Sequence, residues 1–197
     1  MGKRRRNHCR IVLTGGPGGR KTTAADLFRR ELREEVVLVP EAATLLFAGG
    51  FPHSKEKEVK KAAQRAIYHV QYNLEDVRFA QHPGQILLCD RGTVDGAIYW
   101  PGEPHEFFDA VGTTLEKQFA RYDAVIFFES AAVGGLSIES ANMTRIETVK
   151  EAKELDEKLK KLWSQHPKFS FVPHHDSFFR KITLGLNIMR KIVENIS

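Results

Sequence analysis

The stretch from Gly15 to Thr22 reads Gly-Gly-Pro-Gly-Gly-Arg-Lys-Thr, directly after an apolar run and directly before a helix-forming one. Glycines in that place let successive backbone N–H groups converge on phosphate oxygens, and the helix that follows adds positive potential at its N-terminus. In a G-x-x-x-x-G-K-[ST] loop the lysine reaches the β- and γ-phosphates, and the hydroxyl after it ligates Mg²⁺. Gly15, Gly16, Pro17, Gly18, Gly19, Arg20, Lys21, Thr22 and Thr23 are therefore the expected nucleotide-binding residues, with Lys21 also catalytic and Thr22 a metal ligand. One position departs from the pattern: Arg20 stands where the second glycine belongs. An arginine there can collide with the phosphates or push the backbone out of its cradle. It can also lend its guanidinium to a phosphate, or fold over the site and block it. It is strained if the loop needs a positive φ. The expectation is a phosphate loop whose hold on a nucleotide is weakened.

The remaining chemistry-bearing residues follow other apolar runs. Asp90 comes directly after 86–89, next to Arg91 and Gly92. A carboxylate beside a phosphate loop can hold Mg²⁺ through water or accept a proton from a substrate hydroxyl, so Asp90 is a candidate catalytic and metal-binding residue. Arg91 can neutralise a phosphate or an acidic substrate. Asp95 either orients an acceptor or caps the next helix. Glu41, after 36–39 and Pro40, is a candidate general base or ligand of an acceptor hydroxyl. Arg145 follows a small, polar stretch, where a lid arginine would screen charge on a transferring phosphoryl group. His174, His175 and Asp176 lack a third ligand at zinc spacing and are expected to border the nucleotide base.

These residues need strands that end at a common edge. Apolar β-type runs at 10–14, 36–39, 86–89, 124–128 and 169–172 alternate with helix-type stretches. The helices are expected at 21–34, 42–48, 54–81 (with Ser54 as cap), 107–121, 145–163 and 177–195. The stretch 131–142 is expected to be a loop. Continuous apolar strands between helices predict an α/β fold with a five-stranded parallel sheet covered on both faces. Ligands then sit at the carboxyl ends of the strands.

The 197-residue length suits one compact domain, placed at 10–197 after a basic tail at 1–9. No apolar run approaches the roughly 18 residues needed to span a bilayer, and no secretory signal is evident. Cys9 and Cys89 lie in or beside strand-like runs and are expected to be buried, reduced thiols in a cytoplasmic setting. The net charge of +5 suits an anionic ligand such as a nucleoside triphosphate. The tail run Lys3-Arg4-Arg5-Arg6 also permits weak contact with nucleic acid or acidic lipid.

Together TGGPGGRKTT, VPEAA, the helix with Gln64 and Arg65, LLCDRGTVDGAIYW, Arg145-Ile146-Glu147 and FSFVPHHDSFFRKI resemble the AAA-like P-loop domain shared with nicotinamide riboside kinases of the NadR type. The resemblance spans nearly the whole chain and implies a small-kinase P-loop fold that binds ATP or GTP with Mg²⁺. By that likeness Lys21 and Thr22 match the phosphate and metal residues, and Asp90 the acidic strand-end residue. Glu41, Arg91, Asp95 and Arg145 match positions around the acceptor and lid. The expected function is a kinase for a small hydroxylated, nucleoside-like acceptor, or an NTPase. A nucleotide-dependent switch and a nucleotide-free scaffold are the alternatives.

Overall fold

The computed structural model describes residues 9–134 and 148–196. Five strands form one sheet: β1 (Cys9–Thr14), β2 (Val36–Val39), β3 (Ile86–Asp90), β4 (Ala124–Phe128) and β5 (Phe169–Val172). All neighbours pair in parallel, in the order β2-β3-β1-β4-β5. Parallel pairing needs a covering connection between strands, and among the described residues seven helices lie in these connections: α1 (Lys21–Leu32), α2 (Ala42–Ala48), α3 (Lys57–Gln81), α4 (Gly96–Tyr99), α5 (Pro104–Ala110), α6 (Leu115–Phe119) and α7 (Val149–Trp163), while α8 (Phe178–Ile196) follows the last strand. The first strand of the chain therefore lies at the centre of the sheet, flanked by β3 and β4. The loop after β1 emerges at the point where the strand order reverses, the usual place for a ligand crevice in such sheets.

Side-chain alternation along the strands builds two cores. Ile11, Leu13, Ile126 and Phe128 face α1 and α8, where they meet Phe28 and Met189. Val12, Leu87, Cys89 and Phe127 face the other way, toward Phe107, Leu159 and Trp163. With both faces covered, the strands read as unbroken apolar runs. Cys9 and Cys89 are free and buried, and burial pushes the Cys9 thiol up to about 12.

The expected elements differ from the observed ones where local signals compete. Ser54 does not cap the long helix. α3 begins at Lys57 with Glu56 as its N-cap, and the Ser54 hydroxyl instead accepts from the Glu56 N–H at 3.0 Å. The single helix expected at 107–121 is two short ones, because the chain turns at Gly112 with φ of 69°. Pro104 starts the first of them earlier than expected. The stretch after Asp90 holds a 3₁₀ turn and α4. α1 ends at Leu32, and a 3₁₀ turn follows. Residues 135–147, which include most of the expected loop and the start of the helix predicted from 145, lie outside the described residues, as does the basic tail.

The buried face of α3 includes polar residues. Val77 is exposed, whereas Gln71 and Glu75 are buried. Burial pushes the Glu75 carboxyl up, and Arg121, Gln71 and Tyr122 oppose that shift. Arg121 donates to Glu75 at 3.2 Å, and the Tyr122 hydroxyl donates to it at 2.9 Å. Removing one partner of such a pair strands a charge in the interior. Arg121→Met is expected to lower stability by about 3 kcal/mol in urea unfolding. Adding Glu75→Gln is expected to recover part of that loss.

Candidate nucleotide and acceptor site

The loop between β1 and α1 is held tightly at its glycines. Gly15 takes φ of 138°, and a Cβ there would lie 2.0 Å from the Phe128 carbonyl oxygen, so neither the conformation nor the space admits a side chain. The Lys21 ammonium is buried and donates to the Gly16 carbonyl at 2.7 Å, across the loop. Gly19 N–H closes back on the Gly16 carbonyl at 3.3 Å. Pro17 and Gly18 form the turn between, with Gly18 at φ of 75°. Thr22 and Thr23 lie exposed on the first turn of α1.

Arg20 is the N-cap of α1 and sits in the left-handed region, φ 57° and ψ 33°. That conformation favours glycine and costs an L-residue about 1–2 kcal/mol. The backbone nonetheless holds it, and the Arg20 carbonyl accepts from Ala24 N–H at 3.0 Å to begin the helix. Its side chain is exposed, and the guanidinium lies 5.2 Å from the Phe178 ring centroid. The guanidinium thus stands over the first residue of α8.

Asp90 ends β3 next to this loop. Its Oδ2 accepts from the Thr22 hydroxyl at 2.6 Å. Burial raises its pKa from the usual carboxylate value, and the nearby Glu41 charge adds to the rise, while Thr22, Lys21 and Arg91 oppose it. A hydroxyl and a carboxylate in contact at the first turn of α1 are hard oxygen donors of the kind Mg²⁺ selects. Such an ion takes most of its ligands from phosphate and water, so this pair fits it. Among the described residues no group of three or more His, Cys, Asp or Glu could hold a metal by itself.

Arg91 is the hub of the site. It is buried, at φ of 80°, and its N–H donates to the Leu13 carbonyl at 3.0 Å. Its guanidinium reaches Glu41 at 3.2 Å, the Gly15 carbonyl at 2.8 Å and Asp95 at 3.0 Å. Burial opposes its charge, but Tyr99, Asp95 and Glu41 hold it firmly protonated. Glu41 also accepts from the Thr44 hydroxyl at 2.7 Å. Asp95 begins α4 without capping it. Its carboxylate accepts from Thr14, Arg91 and the Trp163 indole, which ties it into the protein. Arg145 lies outside the described residues.

Beyond Arg91 opens a cleft of about 370 Å³ between α2, α3 and the segment after β3. Its walls include Phe47, Val59, Ile67, Tyr68, Gln71 and Tyr99, and Glu41, Arg91 and Asp95 also line it. The Phe47 and His53 rings stack at 3.9 Å between centroids on one side. Lys55, Lys60 and Glu151 add charge to the lining. Trp100, Phe107 and Phe108 are packed in the core, whereas Tyr99 reaches the cleft.

Three residues of the site were not anticipated from sequence. Gln71 accepts from Ala42 N–H at 3.0 Å and donates to the Arg91 carbonyl at 3.4 Å, joining the segment after Glu41 to the hub. Asp156 on α7 accepts from Gly16 N–H at 2.6 Å and Ser130 N–H at 3.0 Å, which anchors the front of the phosphate loop. Lys181 on α8 donates to the Gly19 carbonyl at 3.3 Å and to the Glu129 carbonyl. Burial lowers Lys181 to about 8 against the pull of Asp156 and Glu129. A signal for Asp156 was present: it shares a helical stripe with Ala152, Leu159 and Trp163, where a carboxylate would be buried.

The raised pKa of Asp90 has a thermodynamic consequence. The folded state holds its proton more tightly than the unfolded chain, so stability falls as pH rises from the ordinary carboxylate range through the raised value. The ionised carboxylate therefore costs stability at neutral pH. Asp90→Asn is expected to raise Tm by about 2–4 °C in calorimetry, while losing any thermal shift that depends on Mg²⁺.

A family model described as an AAA domain matches residues 10–176. No curated protein matches the sequence. The crystal structure of thymidylate kinase from Ehrlichia chaffeensis superposes with a TM-score of 0.61 over 93% of this chain and 99% of that one, at 14% identity. At that identity the likeness is one of fold, and the fold is that of a P-loop kinase. With its phosphate loop, strand-end acid and five-stranded parallel sheet inside the matched region, the chain belongs to the AAA domain family.

Proposed function

We propose that this chain transfers the γ-phosphoryl group of ATP or GTP to a hydroxyl of a small, uncharged, nucleoside-sized acceptor. The observation that carries the reading is the position of Arg91. One guanidinium touches both the phosphate loop, through Gly15, and the acceptor cleft, through Glu41. A nucleotide switch with slow hydrolysis needs the loop but not the cleft. The cleft volume of about 370 Å³ lies in the range of small-molecule sites. Glu41 and Asp95 already balance the Arg91 charge, which favours a neutral acceptor over an anionic one.

In this reading the backbone N–H groups of the loop and Lys21 hold the β- and γ-phosphates. Thr22 and Asp90 would hold Mg²⁺, which would supply neutralisation of phosphate charge. Glu41 accepts the proton of the acceptor hydroxyl as that oxygen attacks the γ-phosphorus. The bond from the γ-phosphorus to the β,γ-bridging oxygen breaks, and the nucleoside diphosphate leaves. Arg91 stabilises charge on the transferring group and orients Glu41. Arg145 is assigned the lid role on sequence alone. Free buried thiols support a reducing, cytoplasmic setting. In the described residues no helix is long and apolar enough to cross a membrane.

The test is nucleoside diphosphate release with Mg²⁺-ATP or Mg²⁺-GTP, measured with and without a panel of nucleosides. Release is expected to rise well above background hydrolysis with at least one nucleoside. Glu41→Gln is expected to lower the acceptor-dependent kcat by about 100-fold and to leave the donor Kd unchanged. Release indifferent to every nucleoside would count against a kinase and favour the switch.

A further inference from the structure

Arg20 looks like a defect in the loop, yet its surroundings are organised. The first turn of α8 meets the phosphate loop at consecutive residues. Lys181 binds the Gly19 carbonyl at 3.3 Å, and Phe178, three residues earlier on the same helix, lies under the Arg20 guanidinium at 5.2 Å. Phe178 is half-buried against the core beside α1, so it is a fixed surface and not a free ring. Among the described residues the Arg20 guanidinium makes no hydrogen bond or ion pair, so its outer face and its N–H groups are open. Arg20 is exposed at the left-handed N-cap of α1, with its guanidinium over the Phe178 ring.

The topology fixes which part of a nucleotide would pass this point. The acceptor cleft, with Glu41 and Arg91, lies on the β2–β3 side of β1. The γ-phosphate of a donor must point to that side. A nucleotide stretched across the loop then leaves its nucleoside on the opposite side, toward β4, β5 and the start of α8. Phe178 and Arg20 stand on that side. A guanidinium backed by an aromatic ring offers a flat, cationic face of the kind on which nucleobases stack.

We propose that Arg20, supported by Phe178, is a donor-binding residue that stacks on the nucleobase of the bound triphosphate, so that the substituted loop gains a base contact in place of the glycine. This rests on the reading of the loop as a nucleotide site. It concerns the nucleoside end of the donor and leaves the triphosphate to the backbone and Lys21.

The test compares Mg²⁺-ATP with Mg²⁺-tripolyphosphate, which has the phosphates but no base, by calorimetric titration into the native chain, Arg20→Gly and Phe178→Leu. Glycine relieves the left-handed strain at position 20, so Arg20→Gly is expected to fold. The proposal expects Arg20→Gly to weaken ATP binding about tenfold while tripolyphosphate binding stays within about twofold. Phe178→Leu should weaken ATP in the same direction by a smaller factor. ATP binding unchanged or tightened in Arg20→Gly would overturn it and mark Arg20 as an obstruction. An equal loss for both ligands would also overturn it, placing Arg20 on the phosphates. If the native chain binds neither ligand, the nucleotide reading itself fails, and this inference fails with it.

Discussion

A buried arginine makes the site one unit. Arg91 sits at the end of the strand next to β1, and its charge would be costly in that interior without partners. Glu41 after β2, the Gly15 carbonyl after β1 and Asp95 in the turn after β3 supply them. Each contact also fixes something else. The bond to Gly15 steadies the first residue of the phosphate loop. Glu41 is aimed at the cleft, and Asp95 is held by Thr14 and Trp163, which ties the hub to β1 and α7. The left-handed φ of Arg91 is the strain that this arrangement offsets, and strain of that kind concentrates at functional sites.

The phosphate loop depends on the same economy of space. On one side Gly15 fits against the Phe128 carbonyl, and on the other Asp156 anchors Gly16. Lys181 holds the far end at Gly19. With both ends fixed, the backbone at position 20 must turn left-handed whatever residue stands there, and the side chain is left to find its own place. That is why an arginine can occupy a glycine position without unmaking the loop.

Much of this was legible in the sequence, and the parts that were not share a cause. β2, β4 and β5 and α2 have the expected bounds because unbroken apolar runs and a seven-residue helix stopped by glycines are local signals. The loop, Glu41, Asp90 and Arg91 could be singled out because each stands at or just after the end of an apolar run. Gln71, Asp156 and Lys181 were missed because they are polar residues buried by partners distant in sequence, and helical periodicity counts apolar faces. The helix expected at 107–121 failed at Gly112, where one left-handed residue outweighed a continuous pattern. The role of Asp95 was left between acceptor and cap, and neither alternative foresaw a carboxylate surrounded by three donors.

The account stands on the phosphate loop and the acceptor cleft being two halves of one site joined at Arg91. The most direct measurement is the affinity of a compound that links two nucleosides through a polyphosphate chain, compared with that of Mg²⁺-ATP. If the halves are joined as described, the linked compound binds about 100-fold more tightly than ATP, and Lys21→Ala abolishes the binding of both. Affinity no greater than that of ATP would contradict the account, because the cleft would then not be the place where the donor delivers its phosphate.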